Sequence, residues 1–145
     1  MSATPSPGHA ISQAEAFARI RLLRSPNVGP VSYAQLLRRF GSAEQAIEAL
    51  PDLASRGTQS YRPAPSGLIE AEIDATRRAG ARYLFHDSPD YPALLAQVEG
   101  APPILVVQGD TALFARPCVA LVGARNASAA AIKLARQLAS ELSAE

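Results

Sequence analysis

A chain of 145 residues with 48% apolar and 19% charged side chains has the material for one domain, or for a small domain and part of a second. Its formal net charge of +1 excludes a whole-chain basic field, so any nucleic-acid contact has to come from local patches. The single cysteine, Cys118, excludes an internal disulfide and a cysteine metal cluster, and it suits a reducing compartment.

Charge is uneven along the chain: residues 11–65 carry seven Arg against four acids, and residues 66–145 seven basic groups against nine acids. The amino terminus lacks the basic-then-apolar order of a signal peptide, and no apolar run approaches membrane-spanning length. A cytoplasmic protein without membrane contact is therefore expected.

Residues 1–10 are small, polar and Pro/Gly-rich and read as a flexible tail. Ser12 with Glu15 forms a capping-box signature, and Phe17, Ile20, Leu22 and Leu23 give a helical apolar stripe that ends near Ser25-Pro26. After Asn27-Val28-Gly29-Pro30 the stripe resumes through Val31, Leu36, Leu37 and Phe40, and Gly41 takes the place of a left-handed cap. Ser42, with Gln45 at the reciprocal position, starts a third helix that buries Ala46, Ile47 and Leu50 and is expected to break at Pro51. A short turn over Asp52–Arg56 and a loop over Gly57–Gly67 follow. Ser66 is expected to cap a fourth helix ending at Gly80.

Beyond Gly80 the period changes. Arg82–His86, Ile104–Gln108 and Cys118–Val122 are short runs rich in β-branched or aromatic residues and read as strands, the last two as strands of a parallel sheet covered on both faces. Ser128 then opens a helix bearing Ile132, Leu134, Leu138 and Leu142. The expected fold class is α/β: a small all-helical domain of SAM-like or helix-hairpin-helix type over 11–80, then over 81–145 the first part of a Rossmann-like doubly wound sheet, truncated before it is complete.

Two constellations are candidates for anion binding. In Val122-Gly123-Ala124-Arg125-Asn126-Ala127-Ser128, glycine admits a ligand to the backbone, the helix start offers free amides and a positive dipole end, and Arg125 adds a forked cation. The bland alternative is that Gly123 makes a turn, Ser128 caps, and Arg125 is solvated. In Val28-Gly29-Pro30, between two amphipathic helices and followed by Arg38 and Arg39, the second helix's amides can hold a DNA phosphate without reading sequence, or the hairpin only packs. A third pattern, Tyr91-Pro92 to Pro102-Pro103 and Gly109-Asp110, reads as structural. His86-Asp87 has no nucleophile or metal partner in view and reads as a satisfied or exposed pair, and no catalytic residue, metal or cofactor is assigned.

Taken together, Leu36-Leu37-Arg38-Arg39-Phe40-Gly41, then Tyr91-Pro92, Leu95, Pro102-Pro103, Leu105 and Gly109, then Val122-Gly123-Ala124-Arg125-Asn126-Ala127-Ser128 resemble the DprA/Smf family of DNA-processing proteins. Ala124 departs from that family's usual serine, and Ala130-Ala131 from a Tyr-Gly found in many members. The resemblance implies a non-enzymatic, single-stranded DNA-binding recombination mediator that helps load RecA during natural transformation. It also implies a homodimer in the complete protein and a RecA contact through regions absent from this chain. It places DNA contacts at Gly123, Arg125, Asn126 and Ser128, with Gly29, Arg38 and Arg39 as accessory positions. The competing readings are a nucleotide-binding Rossmann enzyme of the phosphoribohydrolase type, whose downstream Pro-Gly-Gly-x-Gly-Thr-x-x-Glu stretch is missing here, and a helical protein-interaction module.

Overall fold

The computed structural model describes residues 11–56 and 62–143. The tail expected over 1–10 and residues 57–61 of the expected loop lie outside them. In chain order the elements are α1 (Gln13–Leu23), α2 (Pro30–Phe40), α3 (Ala43–Arg56), α4 (Ser66–Arg78), β1 (Ala81–Phe85), α5 (Ala93–Ala96), β2 (Ile104–Gln108), a 3-10 turn (Thr111–Ala115) and α6 (Ala129–Leu142). They form a helical domain followed by a small two-stranded sheet with helices, divided by contacts into units Met1–Leu113 and Phe114–Glu145.

The helix starts follow local chemistry. Ser12 Oγ accepts the Glu15 amide at 3.0 Å, the forward half of the capping box. The reciprocal half is missing, because the Glu15 carboxylate is spent on another helix: it accepts the Ala43 amide through both oxygens at 3.0 Å, and the Glu44 amide at 3.4 Å. Glu15 thus caps α3 from α1, placing its negative charge at the positive end of that helix. Ser42 adds a local cap, accepting the Gln45 amide at 3.2 Å.

Proline fixes the start of α2, where Pro30 occupies the first turn and has no amide to leave unpaired. Gly41, at φ 83°, closes the helix in a conformation that a Cβ disfavours, and its amide donates to Leu37 O at 2.8 Å. Two expectations fail here. The third helix does not break at Pro51 but runs through it to Arg56, since loss of one ladder hydrogen bond kinks a helix without ending it when the flanking turns hold. Ser66 does not cap α4 but is its first helical residue, preceded by Pro65, with no side-chain cap.

Two apolar clusters hold the first unit together. The larger joins Ala18 and Leu22 of α1 and Val28 of the hairpin turn to Tyr33 and Leu36 of α2 and Ala43, Ala46 and Leu50 of α3, with Leu37, Phe40 and Ile47 packed against it. The second joins Ile20, Ala64 and Ile69 and takes Phe17, Ile73, Tyr83, Phe85 and Ile104 against it. The β hairpin therefore shares a core with α1 and α4, and the packing runs across Gly80, where the boundary between domains was expected. Polar contacts reinforce the same joint. Arg24 donates to both oxygens of Glu72 at 2.8 and 2.9 Å, and Tyr83 Oη donates to Glu72 at 3.2 Å.

Strand β2, expected to lie with Cys118–Val122 in a parallel sheet, pairs instead with β1 and antiparallel, from Ala81 opposite Gln108 to Phe85 opposite Ile104. A parallel return needs a long crossover, usually a full helix, whereas only the one-turn α5 stands between these strands. Tyr91 clips this connection by donating its buried hydroxyl to Pro102 O at 2.7 Å, which gives the Tyr91 to Pro102 pattern its structural role.

The run Cys118–Val122 also departs from expectation and forms no strand among the described residues. Val122 is 95% exposed and Cys118 is exposed, and no strand among the described residues pairs with this stretch. An apolar run becomes a strand only where another strand satisfies its amides. The helix at Ser128 forms as expected.

Three outcomes test this account. Leu22 is fully buried at the crossing of α1, α2 and α3, so Leu22→Ala lowers unfolding free energy by about 2–5 kcal/mol in urea titrations. Glu15→Ala removes the shared cap of α3 and costs about 1–2 kcal/mol, with Glu15→Gln, which keeps an acceptor, costing less. The hydrogen bonds from Arg24 hold the Glu72 carboxyl below its usual range, against a smaller opposing effect of burial. Its contribution is whole above the unfolded glutamate value of about 4.3 and is lost as pH falls through the lowered folded value. Acid titration of the melting temperature therefore shows a shallower fall for Glu72→Gln than for the parent.

Candidate nucleic-acid interface

The first candidate site belongs to the second unit. Ser128 is the N-cap of α6, and its Oγ accepts the Ala131 amide at 3.3 Å. The amides of Ala129 and Ala130 find no acceptor among the described residues, so two donors stand free at the positive end of a 14-residue helix. Arg125 and Asn126 form the bend leading into it, and both are exposed. Arg125 makes no hydrogen bond or ion pair with any described residue, which leaves its whole donor fork for solvent or ligand.

Gly123 lies two residues before this bend, and a Cβ built there meets nothing within 4 Å. Its φ is outside the left-handed region, so the backbone does not itself require glycine at this position. Gly123, Arg125, Asn126 and Ser128 are brought together by their nearness in sequence within one exposed turn. The chemistry available is anion binding: two backbone amides, a helix dipole and a guanidinium.

The second candidate site, in the first unit, is built on α2. Gly29 is its N-cap with extended backbone and no side chain to cap the helix. Pro30 has no amide and Tyr33 donates to Gly29 O at 2.8 Å, so the amides of Val31 and Ser32 are the free donors. Arg38 and Arg39 both lie in the last turn and are exposed, but they part company. Arg39 places its guanidinium 5.3 Å from the centre of the Phe40 ring, whereas Arg38 lines a cavity of about 440 Å³.

That cavity contains the residues that sequence reasoning missed. α2 contributes Tyr33, Ala34 and Arg38, the connection before β2 contributes Ala101, and the end of β1 contributes His86 and Asp87. Arg19 of α1 reaches it as well, with Nη1 donating to both oxygens of Asp87 at 2.7 and 2.8 Å and Nε to Glu15 at 2.9 Å. Burial works against its charge, but the hydrogen bonds to Asp87 and Glu15 more than offset this and raise its pKa further. The guanidinium also sits 5.6 Å from the centre of the Phe85 ring.

Tyr33 is 4% exposed, and burial pushes its phenol well above the ordinary range. Its hydroxyl has no hydrogen-bond partner among the described residues. The His86 ring lies 4.9 Å from that of Tyr91. The sequence signal for this group was only the adjacency of His86 and Asp87, since Arg19 and Tyr33 are distant from both in the chain. Among the described residues no three His, Cys, Asp or Glu side chains gather to hold a metal ion, and no helix is long and apolar enough to cross a membrane.

Comparison with known families meets these two sites separately. Residues 13–75 match the model of a DprA-like N-terminal HHH domain, and residues 82–145 match that of DNA recombination-mediator protein A. A search of curated proteins found no match. The helical domain is accordingly of HHH type, and the segment after it is in keeping with part of a Rossmann-like α/β domain. Together the two matches leave out only residues 1–12 and 76–81, so the chain belongs to the DprA family of DNA recombination mediators.

Proposed function

We propose that this protein performs its mediator role by binding single-stranded DNA through the phosphate backbone, with Gly123, Arg125, Asn126 and Ser128 as the principal contact. The observation that carries this reading is the Arg125 fork, exposed and without a protein partner among the described residues, next to the free Ala129 and Ala130 amides of α6. A phosphate held there receives charge-assisted bonds from three groups and presents no base edge to them. Binding of this kind is salt-dependent and weakly sequence-selective.

Gly29, with the free Val31 and Ser32 amides behind it, and Arg38 and Arg39 are the accessory phosphate contact. In the complete protein the bound strand is passed to a RecA-type recombinase, and the working form is a homodimer located in the cytoplasm. All steps in this proposal are binding steps, and none requires a catalytic side chain.

Arg125→Ala weakens binding of a single-stranded oligonucleotide by about 1–3 kcal/mol, with little change in base preference. The slope of log affinity against log salt becomes shallower by about 0.7, the loss of one phosphate contact. Arg125→Lys retains the charge without the fork and falls between. Arg116→Ala, nine residues upstream, changes affinity far less. Filter binding across a salt series reads all four proteins, and an Arg125→Ala variant with parental affinity and slope overturns the assignment.

A further inference from the structure

We propose that the cavity beside α2 is a pocket for one unstacked nucleobase of the bound strand, with Tyr33, Arg19, Asp87 and His86 reading its edge and Arg38 and the α2 amides holding its flanking phosphates. The inference rests on the DNA-binding reading above and adds to it a second kind of contact, to a base instead of a phosphate.

The cavity, about 440 Å³, falls within the range of small-molecule sites, and its walls are mainly apolar, with a few polar groups converging on it. Those groups keep part of their hydrogen-bonding capacity. The Tyr33 hydroxyl, on a residue more than nine-tenths buried, has no protein hydrogen-bond partner among the described residues and its oxygen is not sealed from solvent, so it is open to a ligand group. Arg19 is immobilised by Glu15 and Asp87 through Nε and Nη1, which leaves Nη2 as a fixed donor. Asp87 stands beside it as an acceptor, so donor and acceptor lie side by side, as the Watson–Crick edge of a base requires. His86 adds a ring at the same edge.

Charge complementarity selects a nucleotide over a peptide side chain. An apolar peptide group would leave the Tyr33 hydroxyl and Arg19 Nη2 unpaired as it sealed the cavity, a desolvation cost without return. It would also make no use of the Val31 and Ser32 amides at one end of the α2 face or of Arg38 toward the other. A nucleotide satisfies both: its planar, apolar ring faces fit between aliphatic walls, its edge meets the polar group, and its phosphates lie at the cationic ends.

The test compares a 20-residue oligothymidylate with a fully abasic strand of equal length, using the full chain. The parent protein binds the oligothymidylate several-fold more tightly. Tyr33→Phe, which removes a hydroxyl that bonds nothing in the protein, leaves the melting temperature unchanged and loses about three- to tenfold in affinity for oligothymidylate, with none lost for the abasic strand. Ala101→Phe, filling the cavity from the opposite element, has the same effect and covers the case in which Tyr33→Phe disturbs the fold. Equal binding of both strands by the parent, or a base preference that survives both substitutions, overturns the pocket while leaving the phosphate contact at Arg125 standing. Failure of the parent to bind either strand overturns both proposals. Amide resonances of Val31, Ala34 and Ala101 that shift with N-acetyl-tryptophanamide and not with thymidine monophosphate also overturn it, and mark a site for a protein side chain.

Discussion

The carboxylate of Glu15 is the constraint on which the first unit depends. One side chain on α1 satisfies two amides at the start of α3 and holds Arg19 through its Nε, and Arg19 in turn grips Asp87 at the end of β1. Helix α1, helix α3 and the hairpin are thereby tied through a single charged chain of contacts. Such a network has value because each member is matched: the helix start presents a positive end to the carboxylate, and the guanidinium meets two acids, Glu15 through Nε and Asp87 through Nη1. Remove the carboxylate and Arg19 keeps one partner, α3 loses its strongest cap, and the cavity loses the rigidity of its charged wall.

The same arrangement explains why the antiparallel pair belongs physically with the helices. Tyr83, Phe85 and Ile104 cover Ile20 and Ile69, so the hairpin completes a core that α1 and α4 leave half exposed. Tyr91 then closes the connection between the strands, and this keeps Ala101 and Pro103 against the α2 side of the cavity. Packing and the cavity here share elements, because those that bury the apolar core are also the ones that bring a tyrosine, an ion pair and a histidine to one opening.

The second unit has a different economy. Its one long element among the described residues is a helix held by its own cap, and apolar residues of the unit, among them Val119, Leu121, Ile132 and Leu134, are exposed. What the unit offers to an anion is local: a bend, two free amides and an unpaired guanidinium within one turn. The two family models divide the chain between them, the helical domain falling to one and the segment that carries the Arg125 turn to the other.

Local features were legible from sequence because their causes are local. The helix starts at Ser12, Pro30, Ser42 and Ser128, the glycine stop at Gly41 and the two paired strands all follow from residues within a few positions of one another. Misreadings arose where a local signal competed with a distant partner. Glu15 looked like the reciprocal half of its own capping box and instead capped a helix 28 residues away. Cys118–Val122 has the composition of a buried strand, but composition cannot provide the neighbour that a strand needs, and Pro51 reads as a breaker although its helix continues on both sides. Only tertiary structure decided that β1 and β2 run antiparallel, and that Arg19, Tyr33, Asp87 and Arg38 line one cavity. The reason is separation along the chain: caps and turns are chosen by the few residues that form them, whereas a cavity exists only once several elements have packed and left space between them.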